Sequence, residues 1–92
     1  MSIFAVNYEY DATKRDLMAE IRPEHRAFLG SLKEEGSLLA SGPLGTNGAL
    51  IVVVADDADA ALALLEADPF RVNSIIETRV VRTWDPVIGP WQ

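Results

Sequence analysis

Residues 49–55, Ala-Leu-Ile-Val-Val-Val-Ala, are apolar at every position. The run is far shorter than the roughly 20 residues that a membrane-spanning helix needs. Its three valines and one isoleucine favour a β-strand instead. Because no polar residue alternates with the apolar ones, we expect both faces of this strand to be covered. The chain must therefore fold into a sheet that has apolar neighbours on each side.

The rest of the chain predicts three more strands and two helices. Residues 2–10 alternate strictly, with Phe4, Val6, Tyr8 and Tyr10 on one face. The predicted order is a strand at 2–10, a helix at about 22–35, strands at 37–42 and 49–55, a helix from 56 to 68 and a strand at about 75–83. This βαββαβ order is the ferredoxin-like pattern. It predicts an α+β fold with an antiparallel sheet and both helices on one face.

Local signals set the predicted helix ends. Pro23 suits the first turn of a helix, and Gly36 suits the position after its last residue. The polar stretch at 11–20 is predicted to be a loop or a short helical turn. Aspartates at 56, 57 and 59 favour the start of the second helix, and Asp68 before Pro69 is expected to end it.

His25 is the only histidine, and it lies on the predicted apolar face of the first helix. Phe28, Leu29 and Leu32 follow it at i+3, i+4 and i+7. An imidazole on that face needs a hydrogen-bond partner, and Asp68 is the best candidate. We expect the two side chains to approach within about 2.6–3.2 Å at a cleft open to solvent.

Composition limits the partners of the chain. Its 92 residues predict one domain over 1–92, and 49% of them are hydrophobic, which is high for so small a core. We therefore expect a homodimer, in which a second copy covers the remaining apolar surface. The net charge of −6 and the scattered basic residues argue against binding to nucleic acid.

Several classes of chemistry are excluded by missing residues. The absence of cysteine excludes disulfides and thiolate catalysis, and it fits a cytoplasmic location. No signal peptide or membrane segment is expected. A single histidine with scattered carboxylates does not predict a metal site within one chain. No phosphate-binding glycine motif is present, so no organic cofactor is expected.

Three motifs together resemble the YCII-related family. They are Arg22-Pro23-x-His25, the segment 36–43 (Gly-Ser-Leu-Leu-Ala-Ser-Gly-Pro), and 67–70 (Ala-Asp-Pro-Phe). The resemblance covers nearly the whole chain in order. It implies a dimeric α+β barrel in which two ferredoxin-like sheets pack face to face. It also implies a cleft that holds His25 and Asp68, and elimination or isomerisation of small cyclic compounds.

The resulting hypothesis is a His25–Asp68 dyad for general acid–base chemistry of the lyase or isomerase type on a small cyclic or oxygenated compound. In it, His25 moves a proton while Asp68 orients the ring. The alternative is a non-catalytic dimeric module that binds a small ligand without turnover or acts as an accessory subunit of a larger assembly. In that case His25 is a structural core residue, and Asp68 bonds only nearby backbone amides.

The candidate substrate-binding residues are Arg22, Ser41, Gly42, Pro43 and Phe70. Arg22 precedes His25 by about one helical turn and could hold a carboxylate in its planar guanidinium fork. It could equally be an exposed arginine at a helix start. The strand end at 41–43 could present backbone groups to a ligand, although a plain turn also explains it. Phe70 could form an apolar wall or simply pack in the core.

Overall fold

A computed structural model describes residues 1–91. Gln92, the last residue of the predicted domain, lies outside the described residues. The strands are β1 (Ser2–Tyr10), β2 (Leu38–Pro43), β3 (Gly48–Ala55) and β4 (Ile76–Thr83), and the helices are α1 (Arg15–Glu34), α2 (Ala58–Leu64) and α3 (Pro69–Val72). A 3₁₀ turn over Ala12–Lys14 precedes α1. The four predicted strands are present, each within a residue of its expected bounds.

The strands form one antiparallel sheet in the order β2-β3-β1-β4. This is the predicted α+β ferredoxin-like arrangement, with β1 and β3 in the middle. The alternation of β1 places Phe4, Val6, Tyr8 and Tyr10 in a core that is shared with all three helices. The fold class expected from the order of the strands and helices is therefore confirmed.

The two faces of the sheet are buried to different extents. The helices bury Ile51 and Val53 of β3 on one side. On the opposite side, which we call the open face, Val52 is buried, but Leu50 is only half-buried. Val80 of β4 has half of its surface exposed. Within one copy of the chain, the expectation that both faces of β3 are covered is thus met in full only on the helix side.

The predicted start of the first helix is wrong. α1 begins at Arg15, and Pro23 lies in its interior instead of opening it. Proline there removes one backbone hydrogen bond, but Met18 and Ile21 extend the apolar face of the helix upstream into the core. Packing therefore overrides the local signal of the proline. No helix within residues 1–91 is long and apolar enough to cross a membrane.

The predicted role of Asp68-Pro69 is also corrected. α2 ends at Leu64, before this pair. Asp68 instead caps a separate helix, α3, by accepting a hydrogen bond from the backbone N–H of Phe70, and Pro69 opens that helix. Proline is favoured in a first turn because its missing N–H would have no partner there. The pair is a helix start, and this start turns the Asp68 side chain into the core.

Gly48, the first residue of β3, is required by a close approach of two backbones. A Cβ atom added to it would lie 2.6 Å from the backbone carbonyl oxygen of Tyr8. We expect Gly48→Ala to lower the free energy of unfolding by about 1–3 kcal/mol, because a packed strand must move. Gly42→Ala is the matched control, since a Cβ there meets nothing within 4 Å. Denaturant unfolding should separate the two, and equal stabilities would contradict the prediction.

The two tyrosines should resist ionisation in the folded protein. Burial, reinforced by the nearby negative charge of Asp68, raises the pKa of Tyr10 from its usual 10.0 to about 12 and raises that of Tyr8 further. The folded state therefore holds these protons more tightly than the unfolded state. Their contribution to stability is complete below pH 10 and is lost above it, at about 1.4 kcal/mol per pH unit for each group. The loss from Tyr10 runs from pH 10 through 12, and the loss from Tyr8 continues above that.

Ultraviolet absorbance can follow this ionisation because Tyr8 and Tyr10 are the only tyrosines. We expect little tyrosinate near pH 10 while the protein is folded, and denaturant unfolding should show stability falling above that pH. Tyr10→Phe should reduce the slope of this loss. A native protein whose tyrosines both titrate near pH 10 would show the expectation to be wrong.

Candidate active site

The carboxylate of Asp68 lies at the centre of a buried network. Its side chain has no exposed surface. Oδ1 lies 2.7 Å from Nδ1 of His25 and accepts the backbone N–H of Phe70 at 3.0 Å. Oδ2 accepts the hydroxyl of Tyr8 at 2.9 Å. A buried charge is tolerated only where such partners replace water, so Asp68 joins α1, β1 and α3 at one point.

Each partner reaches Asp68 through a regular feature of its own segment. Tyr8 lies on the inward face of β1 by strict alternation. His25 lies one turn before Leu29 and two turns after Met18 on the buried face of α1. The Phe70 amide is free to donate because it belongs to the first turn of α3, where backbone N–H groups lack a partner within the helix.

The ring of His25 is held in a defined orientation. It stacks on Phe70 with the ring centroids 3.9 Å apart and the planes 4° from parallel. An ionised carboxylate only accepts hydrogen bonds, so Nδ1 carries the proton that points to Asp68. In the neutral ring this leaves Nε2 as a free acceptor. Within residues 1–91, Nε2 has no hydrogen-bond partner.

His25 lines a cavity of about 450 Å³ between α1 and the edge of the sheet formed by β2 and β3. The five other residues predicted to bind substrate line the same cavity: Arg22, Ser41, Gly42, Pro43 and Phe70. Asp68 does not line it and lies behind His25. The structure thus brings together all the candidate residues, six at the cavity wall and one beneath it.

Sequence reasoning missed several residues of the site. Tyr8 was expected to be buried, but alternation alone does not reveal its hydrogen bond to Asp68. Arg26 and Lys33 also line the cavity. They follow Arg22 by four and eleven residues on α1, and this helical spacing could have indicated that they lie on the same side of the helix. Tyr10 lines it as well, and its pKa of about 12 keeps its hydroxyl protonated at neutral pH.

Gly30 forms part of the cavity wall without a side chain. It lies in the interior of α1, and a Cβ there would meet nothing within 4 Å. A glycine in a helix costs about 0.5–1 kcal/mol relative to alanine. Since neither packing nor backbone conformation requires glycine at this position, its visible effect is to leave room in the cavity.

The arrangement is suited to proton transfer. A neutral imidazole with one nitrogen fixed on a carboxylate presents its other nitrogen as a base in a defined direction, and the carboxylate stabilises the imidazolium that forms. Within the described residues, 1–91, no group of three histidine, aspartate or glutamate side chains is placed to hold a metal ion.

Solved structures resemble this fold at low sequence identity. The 5-chloro-2-hydroxyhydroquinone dehydrochlorinase of Burkholderia phenoliruptrix, solved with 2,5-dihydroxybenzoquinone, is 20% identical, with a TM-score of 0.77 over 90% of this chain and 93% of that one. A NIPSNAP family protein of Agrobacterium tumefaciens is 15% identical, with a TM-score of 0.61 over 98% and 97%. An antibiotic biosynthesis monooxygenase is 14% identical, with a TM-score of 0.58 over 96% and 100%. These similarities establish a shared fold.

No curated protein sequence matches the chain. The sequence model of the YCII-related domain, in contrast, matches residues 1–85, which include every residue of the buried network and every residue that lines the cavity. The chain therefore belongs to the YCII-related domain family.

Proposed function

We propose that the protein is an enzyme of the lyase or isomerase type that acts on a small cyclic or oxygenated compound. Nε2 of His25 is the general base that removes a proton from the bound compound and the acid that can return it. Asp68 orients the ring and stabilises its protonated form. No organic cofactor takes part in this scheme.

One observation carries the proposal. His25 has one ring nitrogen 2.7 Å from a fully buried carboxylate, while the ring itself lines a cavity and its second nitrogen has no partner in residues 1–91. A purely structural histidine is expected to satisfy both nitrogens within the core. A free nitrogen on a ring that lines the cavity supports the proposal that it meets a bound ligand.

The family and one structural neighbour support this class of reaction. The neighbour from Burkholderia phenoliruptrix is described as a dehydrochlorinase, and loss of HCl is an elimination. In such a step a C–H or O–H bond breaks, its proton passes to Nε2, and its electron pair forms a new double bond. The leaving group departs with its own bonding pair. In an isomerisation, the same imidazolium returns the proton to another atom.

The remaining predicted residues would hold the compound in place. Ser41, Gly42 and Pro43 form the cavity wall at the edge strand β2, where backbone groups and a hydroxyl can bond to oxygen atoms of a ligand. Arg22 offers a guanidinium beside the base. Phe70 both supports the ring of His25 and contributes apolar surface to the cavity.

We further propose that a second copy of the chain covers the open face. This face carries half-exposed Val80 and the half-buried side chains of Ala5 and Leu50. Trp84, which is 38% exposed, lies beside them at a shallow apolar pocket. The face-to-face barrel implied by the family resemblance would bury this surface against its own symmetry mate.

We place this activity in the cytoplasm, which the absence of cysteine allows, and assign it to a single domain over residues 1–92. The competing function is a ligand-binding or accessory dimer in which the same cavity binds a compound without turnover. The two differ in whether removing the base abolishes a reaction or only weakens binding.

One test of this proposal concerns the base and its partner. With 5-chloro-2-hydroxyhydroquinone as the test compound and chloride release as the readout, His25→Gln should lower kcat about 10²–10⁴-fold. Asp68→Asn should also lower it, because an amide no longer fixes the proton on Nδ1. Nitrogen NMR of the only histidine should show that proton moving between the ring nitrogens in Asp68→Asn.

Asp59→Asn is the matched control, because it makes the same charge change at an exposed aspartate of α2. It should leave turnover unchanged. Full activity in folded His25→Gln would refute the role of the base. Binding of the compound without chloride release by the wild-type protein would favour the non-catalytic alternative.

Another test concerns the open face. Light scattering coupled to size exclusion should give a dimer for the wild-type chain and a monomer for Val80→Asp, because a buried unpaired charge at the interface is costly. Val72→Asp is the control, since Val72 is 67% exposed on α3, away from the open face. A wild-type monomer, or a Val80→Asp dimer of unchanged affinity, would disprove this pairing.

A further inference from the structure

Positive charge is concentrated at the cavity. Arg22, Arg26 and Lys33, three of the eight basic residues of the chain, line it, whereas none of the fourteen acidic residues does. We call these three residues the cationic wall. The protein as a whole carries a net charge of −6, so the wall is opposite in sign to the overall charge and favours anions in this cavity.

The cationic wall has no partners within the described chain. None of its three side chains forms a hydrogen bond or an ion pair with residues 1–91. Elsewhere, Arg71 and Arg79 both contact Glu66. All three wall residues belong to α1, and Arg22 and Arg26 are one turn apart, so their guanidinium groups leave that helix on the same side.

The cavity also offers a neutral hydrogen-bond donor close to one of these cations. Tyr10 lines the cavity and stays protonated, and its hydroxyl has no hydrogen-bond partner in residues 1–91. Arg22 is close enough for its charge to act on this hydroxyl, since it opposes the rise in the pKa of Tyr10. Tyr10 and His25 both contact the ring of Phe70, so this hydroxyl lies in the same part of the cavity as the base. Arg26 and Lys33 are exposed.

We propose that the compound bound in this cavity is a small organic anion with a carboxylate or an equivalent oxyanion. The cationic wall attracts and holds the charged group, and Tyr10 donates a hydrogen bond to an oxygen atom next to His25. A volume of about 450 Å³ suits a compound with a single ring. The inference rests on the proposed function for the identity of the site and adds the charge of its substrate.

Matched pairs of probes test this inference without requiring turnover. Benzoate, 2,5-dihydroxybenzoate and cyclohexanecarboxylate are compared with the corresponding neutral amides, which keep the ring and remove the charge. Binding is measured by calorimetry, and the NMR signals of the only histidine report whether the probe lies in the cavity. We expect at least one acid to bind about tenfold or more tightly than its amide, because charge-assisted hydrogen bonds exceed neutral ones.

Variants then assign the effect to the wall. Arg26→Gln and Lys33→Gln should each weaken binding of the acid about two- to fivefold, as expected for exposed charges, and Arg22→Gln should weaken it more because Arg22 is half-buried. Arg15→Gln is the matched control. Arg15 belongs to the same helix and carries the same charge, but it does not line the cavity. The affinity of the Arg15→Gln variant for the acid should equal that of the wild-type protein within experimental error.

The outcomes separate this inference from the proposed function. Equal binding of acids and amides, failure of every acid to bind, or an equal loss in Arg15→Gln and Arg26→Gln would overturn the inference. Anion binding that depends on the wall, in a protein that releases no chloride from 5-chloro-2-hydroxyhydroquinone, would uphold the inference and count against the enzyme. Efficient turnover of a neutral compound that is insensitive to Arg22→Gln and Arg26→Gln would support the enzyme and overturn the inference.

Discussion

The buried carboxylate of Asp68 is the constraint on which the structure of the site depends. It has no exposed surface, so its charge must be balanced by hydrogen bonds from buried partners, and it receives them from Tyr8, His25 and the Phe70 amide. Removing one partner of a buried charge costs far more than an exposed pair contributes. The side chain of Asp68 therefore links β1, α1 and α3 at one point. It also fixes the orientation of the His25 ring.

The fold was largely predictable because its main signals are periodic. In β1 the alternation of apolar residues, and in β3 the continuous apolar run, each show which faces of the strand are buried. Both segments are strands in the structure. The helix start was not predictable from Pro23, because a local preference competes with burial of Met18 and Ile21 upstream. The short helix after Asp68 was missed for a related reason: one Asp-Pro pair can end a helix or begin one, and only the tertiary contacts decide.

The site was predictable in part. The partnership of His25 and Asp68 followed from one lone polar group on an apolar face and from the family resemblance, and their contact is present at 2.7 Å. The bond from Tyr8 was not foreseen, nor was the presence of Arg26 and Lys33 beside the predicted Arg22, because both depend on where a helix lies across the sheet. Sequence spacing places Arg22 and Arg26 on one side of a helix, but it does not say that a cavity lies beside that side.

The edge strand β2 links the two sides of the sheet. Ser41, Gly42 and Pro43 line the main cavity, and the same three residues line a shallow pocket on the open face, together with Leu44 and Val52. Only the thickness of this strand separates the two. A second copy bound to the open face would therefore also contact the strand that forms this wall of the cavity. Because β2 pairs with β3 alone and its register shifts between Leu38 and Ala40, such contact would act on an edge strand that has a partner on one side only.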